Sequence, residues 1–499
     1  MQYKCRRQAP VFSAVVAALA GAVAGCSATP TTAVERPFRD AALTVAGPPG
    51  VETTLRGPVR TWQAQQAAAP ATFVPLDPAL GPAKPADVWV LPAWQLSHWV
   101  AAGKVQPLPE RLTRRDGASP WPGLLPIYRE QLLLWQGPTG RAGTAYAVPL
   151  LGEAPLLCYR ADLYADAEHR RKYREANPDQ ELRPPQTWAE FVRQAAYFHR
   201  AGFPLPALPD DPVALERLFG QVAAGYARRP ALDQGPGAGS LPESALALFQ
   251  DLATGAPRLE EPAFVHALGV LRAMQDSRGP RGDGAPEEAF RAGRAALCLC
   301  EAPWLVRFQE AGSPVRDKVG VAGLPGAEKV FDGGEGDLRQ PNRMPYLGGG
   351  ALVAALPADA PNKDAAESLL GHLLDRRVST QLILDPRDAV RVVRGEQLED
   401  GVKWDVLGLD GERTQAAKAA LRWTLEHPTL KNPALALRGP DAAAYRDALV
   451  RHLRRPLDNK DVAAKDALAA AAAEWRALAE KAGPEKTRAA ARLSVGLAP

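Results

Sequence analysis

Apolar positions along the chain recur with two periods, one of strands and one of helices. Residues 41–47, "AALTVAG", read as an opening strand that the "GPPG" turn ends, and a helix-compatible stretch follows at 59–66. In "ADVWVLPAW" a buried-strand run covers 87–91 and breaks at Pro92. "QLSHWVAAG" puts Leu96, Trp99 and Val100 on one helical face, with Gly103 as its stop. Strand, helix, strand, helix predicts an α/β layer with a largely parallel sheet.

A second unit opens near "AYAVPLLGEAPLLCYRADLY", with a strand over 156–159. "PPQTWAEFVRQAAYF" predicts a helix entered through a capping box, Thr187 accepting from the Glu190 amide while the Glu190 side chain reaches back. "VALERLFGQVAAGYA" and "EPAFVHALGVLRAM" are further helical patterns between Pro/Gly-rich loops. "EAFRAGRAALCLCEAPW" runs from a helix end into a strand, and "VGVAGLPG" supplies another short one. Gly/Asp-rich loops occupy 331–340, and "YLGGGALVAAL" is a strand entered through three glycines. Asn362 is placed to cap a helix whose stripe is Ala366, Leu369, Leu370, Leu373 and Leu374. Near the C-terminus Leu468, Trp475 and Leu478 face inward on a helix stopped by Gly483.

The N-terminus carries a different pattern. Lys4, Arg6 and Arg7 precede "VFSAVVAALAGAVAG", about 15 apolar residues, too short for a membrane span and suited to a signal-peptide core. It ends in Val23-Ala24-Gly25-Cys26, which resembles the lipobox of bacterial lipoproteins, where the Cys26 thiol receives the lipid. "SATPTTAVERPFRD" then reads as a solvated tether. The expectation is an exported protein of the cell envelope, a membrane-anchored lipoprotein facing the periplasm or the outside.

Length and charge narrow the function. A chain of 499 residues exceeds one compact core, so two lobes are expected. Net charge is only +4 with no basic block, which argues against nucleic acid as a partner. Beyond Cys5 and Cys26 only three cysteines remain, too few for a disulfide framework. No GxSxG, HExxH or GxxxxGK[ST] motif occurs, and the seven histidines do not pair at ligand spacing. "GGGALV" precedes a strand and lacks the third glycine of a dinucleotide loop. No cofactor, no metal and no catalytic residue is expected, although a carboxylate pair of glycosidase type is not excluded by counting.

Cys298 and Cys300 lie one residue apart. On a strand such residues share a face at about 6 to 7 Å, too far to bridge each other. A closed zinc site needs four ligands, and none is supplied nearby. "AALCLCE" reads as a core strand, with a reactive or disulfide role elsewhere, or a metal, as the alternatives.

Several segments, in order from about Ala41 to about Lys481, resemble the sugar-binding, maltose-binding-protein-like group of extracellular solute-binding proteins, the ligand receptors of ABC importers. "FRAGRAALCLCEAPW" resembles that group's "F..GkaAM...gsW", and "YAVPLLGEAPLLCYRADLYAD" with "PPQTWAEF" its "y.vP......l.YNkdlf...pPkTWdEf". "YLGGGALVAALPADAPNKDAAESLLGHLLDRRVSTQ" and "ADVWVLPAWQLSHWVAAGKVQPL" are similar to two more of its segments. The chain departs from the pattern at Arg160, where asparagine is usual, at "GPPG", and in a proline-rich insertion over 204–242.

The resemblance implies a two-lobe α/β periplasmic-binding-protein fold of class II, with mostly parallel sheets and hinge-crossing strands. It also implies a ligand closed between the lobes by hinge motion. The boundaries expected are signal peptide 1–26, tether 27–40, first lobe 41–148 and 346–405, second lobe 149–345 and 406–485, and tail 486–499. A sugar needs aromatic platforms and a rim of carboxylates or amides. The resemblance points to Trp94, Gln95, Glu153, Trp304, Tyr346 and Arg387 as the candidate ligand residues, with Arg391 beside the last. Packing is the alternative for both tryptophans, a solvated loop for Glu153, and surface pairing for the arginines. The function implied is a lipid-anchored, monomeric receptor that hands a small solute, expected to be a carbohydrate, to an ABC permease. The alternatives are an envelope sensor or scaffold without transport, and an exported glycosidase-like hydrolase.

Overall fold

Val88, Trp89, Val90 and Leu91 are all buried, so the strand they form must be covered on both faces. It is the middle of the first sheet. In chain order the strands are β1 (Thr44–Gly47), β2 (Thr72–Pro75), β3 (Val88–Pro92), β4 (Val105–Gln106), β5 (Leu134–Trp135), β6 (Thr144–Ala145) and β7 (Ala147–Leu151). They continue with β8 (Pro155–Arg160), β9 (Leu297–Glu301), β10 (Val319–Ala322), β11 (Tyr346–Leu347), β12 (Leu352–Pro357) and β13 (Ala434–Leu435). The computed structural model describes residues 37–114, 116–117, 119–135, 143–229, 247–280, 285–331, 338–426, 434–495 and 497–499. The signal segment, Cys26 and most of the tether lie outside the described residues, as do parts of the 204–242 insertion and of the 331–340 loops. Residues Phe38–Pro499 form one compact unit. No helix among the described residues is long and apolar enough to cross a membrane.

The first sheet has the order β2-β1-β3-β12-β4, with β7 on β12. β1 runs parallel to β2 and β3, whereas β12 is antiparallel to β3, β4 and β7. The second sheet, β10-β8-β9, is wholly antiparallel. The expectation of mostly parallel sheets is therefore corrected to mixed sheets. β12 returns from the second lobe and enters the first sheet against the direction of β3, and the second sheet lacks any parallel crossover.

The second sheet has two dissimilar faces. Leu156, Cys158, Cys298 and Cys300 pack into the core of the first lobe's cluster. Leu157 and Leu297, one residue out of phase, join a second core, with the helices Trp188–Arg200, Pro212–Ala227, Pro262–Asp276, Ala442–Asp458 and Ala464–Ala482. The period of two along β8 and β9 thus builds two cores from one sheet.

Local differences have local causes. The helix expected at 59–66 begins at Val51, because Val51, Leu55, Val59 and Trp62 form one buried stripe that carries it through Pro58. Residues 486–499, expected as a tail, include most of the helix Pro484–Ser494, whose proline sits in the first turn after the break at Gly483. Thr187 accepts from Glu190 N–H at 3.0 Å, but the Glu190 carboxylate takes the N–H of Gln186, one residue beyond the cap, at 2.6 Å. The Asn362 side chain does not cap; it donates to the Ala42 carbonyl. Asp87 staples the region instead, accepting from Thr44 N–H and Asn362 N–H, each at 2.7 Å.

Candidate functional site

The chain crosses between the lobes through Gly152, Glu153 and Ala154, which join β7 to β8, and again through Gly348 to Gly350, which precede β12. Glu153 ties the two crossings together. It is buried, and its carboxylate accepts from the N–H of Gly348 and from that of Gly350 at 2.6 Å. Arg391 clamps the same pair, donating to the carbonyls of Gly152 at 2.8 Å and Gly350 at 2.5 Å. Glycine is required at 152, where a Cβ would land on the Val392 carbonyl oxygen. Burial raises the Glu153 pKa, and the nearby Arg217 opposes that rise.

Beside this crossing, in the second lobe, lies a cavity of about 800 Å³. Its walls are the loop 202–211, the helix Pro212–Ala227, residues 285–289, Pro155 and the end of β9. Arg217 and Glu301 lie on its wall and pair at 2.9 Å. The second oxygen of Glu301 accepts from Ala154 N–H at 2.7 Å, which binds the cavity to the crossing. Glu287 also faces the cavity, and burial pushes its carboxyl up to about 7, assisted by Cys300 and Glu301 and opposed by Arg217. Near neutral pH this carboxyl exists in both forms, donor and acceptor. Pro204, Pro206, Leu208 and Leu299 provide apolar surface, and Phe191 is the aromatic residue of the lining. The volume suits a small solute, and the wall combines apolar surface with charged and polar side chains, as a site for a hydroxylated ligand requires. Among the described residues no group of His, Cys, Asp or Glu is arranged to hold a metal ion.

None of the six residues singled out from sequence borders this cavity. Trp94 follows β3 in a short 3-10 turn; its ring is covered by the Arg446 guanidinium at 3.9 Å. Gln95 is buried in the same turn. Glu153 spends both carboxylate oxygens on backbone donors. Trp304, in the helix Pro303–Phe308, is half-buried with its ring stacked on Phe308, and the Arg307 guanidinium lies 4.4 Å from its centroid. Tyr346 is buried on β11, its hydroxyl donating to Glu216, and it borders a smaller cavity of about 340 Å³. Arg387 is on the surface, 55% exposed, paired with Asp385 at 2.7 Å. Asp385 also accepts the Arg387 backbone N–H at 3.0 Å.

Trp94 belongs instead to a latch between the lobes. Arg446 approaches Glu216 at 3.4 Å, both fully buried, and Tyr346 donates to the other Glu216 oxygen. Nearby, Arg438 donates to the carbonyls of Gln131 and Leu132, and His98 Nδ1 meets the Pro440 carbonyl at 2.8 Å.

The cavity residues Arg217, Glu287 and Glu301 were not singled out from sequence. One signal was available for the first: Glu216 and Arg217 are adjacent charges inside the otherwise apolar helical pattern "VALERLFGQVAAGYA". Glu301 ends a core strand, and nothing in its spacing distinguishes it from a solvated carboxylate.

Residues 63–225 match the family model described as bacterial extracellular solute-binding protein. No curated protein matches the chain by sequence. Among solved structures, the ABC transporter solute-binding protein of Agrobacterium radiobacter K84 in complex with ribitol superposes with a TM-score of 0.61 at 20% identity, covering 89% of this chain and 100% of that one. Maltose-bound MalE3 of T. maritima gives 0.60 at 17% identity, over 88% and 99% of the two chains. The GacH receptor of Streptomyces glaucescens, solved unliganded and with acarbose, gives 0.57 at 18%, over 88% and 98%. Identities this low speak to the fold. The chain has the two-lobe α/β fold of the bacterial extracellular solute-binding proteins, and its residues 63–225 carry that family's sequence pattern.

Proposed function

We propose that this protein is an extracytoplasmic receptor that binds a small polyhydroxylated solute, a carbohydrate or polyol, and delivers it to an ABC transporter. The observation that carries the reading is the cavity of about 800 Å³ beside the lobe crossing, with Arg217, Glu287 and Glu301 on its wall. Hydroxyl groups need donors and acceptors at fixed positions, which the Arg217–Glu301 pair and the partly protonated Glu287 provide. The C–H faces of the solute pack on the proline and leucine wall. Similar folds bound to ribitol, maltose and acarbose support the solute class. No chemistry is performed: solute bound against Glu301 acts on the crossing through Ala154, and the resulting change of lobe arrangement is what a permease reads.

The test is a thermal-shift screen of the chain lacking residues 1–26 against sugars and polyols. A solute at a hundred times its dissociation constant stabilises by about 2.7 kcal/mol. A flat screen across the panel overturns the solute class. Membrane attachment through Cys26 is a further part of the proposal: Cys26→Ser should move the protein from the membrane to the soluble fraction, and unchanged partition contradicts it.

A scaffold or sensor role without transport is favoured by one observation, the Arg446 guanidinium that covers the Trp94 ring and approaches the buried Glu216. Under that reading a bound solute leaves the scattering profile unchanged.

A further inference from the structure

Three thiols gather on one face of the second sheet. Cys158 on β8 stands opposite Cys298 on β9, and Cys300 follows two residues along the same face. The sulfurs of Cys158 and Cys300, which are 142 residues apart in sequence, lie 3.3 Å apart. Solute binding as proposed above uses none of the three, and core packing alone does not require sulfur at three neighbouring positions.

Access differs among them. Cys158 and Cys298 are sealed, at 0% and 1% exposure, whereas Cys300 is 7% exposed and borders the cavity of about 800 Å³. Reactivity differs in the same sense. Hydrogen bonds from Cys158 and Cys298 stabilise the Cys300 thiolate and lower its pKa, while burial raises both partners. A low-pKa, reachable thiol beside a second one is the arrangement of an oxidisable pair. Cys298 is not the partner of Cys300, because i and i+2 on a strand are too far apart to bridge. A disulfide is about 2.05 Å long, so Cys158 and Cys300 need approach by little more than 1 Å.

We propose that Cys158 and Cys300 form a peroxide-oxidisable dithiol in the wall of the cavity, with Cys300 attacked first and Cys158 resolving it to an interstrand disulfide. The oxidant is hydrogen peroxide, small enough to enter by the cavity. The Cys300 thiolate attacks one peroxide oxygen; the S–O bond forms, the O–O bond breaks, and the departing hydroxide becomes water by taking up the proton that the Cys300 thiol released on ionising. The Cys158 sulfur then attacks the sulfenic sulfur of Cys300. The S–S bond forms, the S–O bond breaks, and the second hydroxide leaves as water with the Cys158 proton. One peroxide is reduced to two waters while two thiols are oxidised to one disulfide.

The experiment treats the reduced full-length chain with hydrogen peroxide, alkylates the remaining thiols in denaturant, and maps the peptides by mass spectrometry. The expected result is a linked peptide pair containing Cys158 and Cys300, absent after treatment with dithiothreitol, with Cys298 alkylated as a free thiol. Mapping also separates Cys5 and Cys26 from the cluster. In Cys158→Ser, Cys300 should stop at the sulfenic acid and take a dimedone tag, while Cys298→Ser should still form the linked pair. A Cys158–Cys298 link, or full alkylation of all three thiols at peroxide levels that oxidise free cysteine, overturns the proposal. The wild-type map decides the question even if a variant fails to fold, and its outcome is independent of whether any solute binds.

Discussion

Glu287 offers a quantitative test of the cavity. Its carboxyl is pushed from an ordinary 4.5 up to about 7, chiefly by burial, with Cys300 and Glu301 adding to the rise and Arg217 opposing it. A raised folded-state pKa means the native protein holds this proton more tightly than the unfolded chain does. Stability from Glu287 is therefore greatest below about pH 4.5, declines as pH rises from there to about 7, and is level above. A tenfold change in proton affinity is worth about 1.4 kcal/mol, so the full effect is about 3 kcal/mol. Solvent screening at a half-buried site brings the measurable share to about 1 to 3 kcal/mol. Glu287→Gln keeps the neutral shape and cannot ionise. Urea unfolding of both proteins between pH 4 and 8 should give nearly equal stabilities at the acid end and a variant more stable by that amount at the alkaline end. A difference that stays flat across the range would refute the buried, cavity-facing carboxyl.

Other substitutions report on the crossing, the latch and the site. Gly152→Ala should cost about 3 kcal/mol in urea unfolding, since a backbone carbonyl cannot move aside for the new methyl group; a neutral result contradicts the close approach to Val392. Arg446→Ala should cost about 3 to 5 kcal/mol by leaving Glu216 buried and unpaired, and Glu216→Gln in that background should recover part of the loss. Arg217→Leu should abolish the thermal shift produced by any solute found in the screen while leaving the circular dichroism spectrum unchanged; retention of the shift removes Arg217 from the site. Chromogenic glycosides should remain intact in the presence of the protein, and steady turnover would favour a hydrolase.

The chain's periodicity located many of the elements that build the two cores, but not the helices Arg376–Ile383, Gly411–Leu425 and Ala442–Asp458, which also contribute to them. The runs at 87–91, 156–159 and 295–301 became β3, β8 and β9 because strands covered on both faces leave an unbroken apolar signature. Strand direction was not legible: β12 lies antiparallel to β3 because of where the chain has travelled between them, which no local pattern records. The helix starting at Val51 was hidden by Pro58 and by the glycine and proline turn before it. The site was less legible than the fold. Glu153 was singled out for a ligand and serves the crossing, since its position before β8 brings it against the Gly348–Gly350 amides rather than into open space. Trp94 lies at the lobe boundary, but Arg446, some 350 residues later in sequence, covers its ring. Tertiary pairing of that kind leaves no trace in spacing. Arg217 and Glu301 come together only when the helix Pro212–Ala227 docks beside the end of β9.

A crystal structure of the protein with a solute from the screen decides where the ligand sits. The solute should occupy the cavity beside the crossing, with hydroxyl groups within hydrogen-bonding distance of Arg217, Glu301 or Glu287. Solute density stacked on Trp94 or Trp304 with that cavity empty would contradict the account.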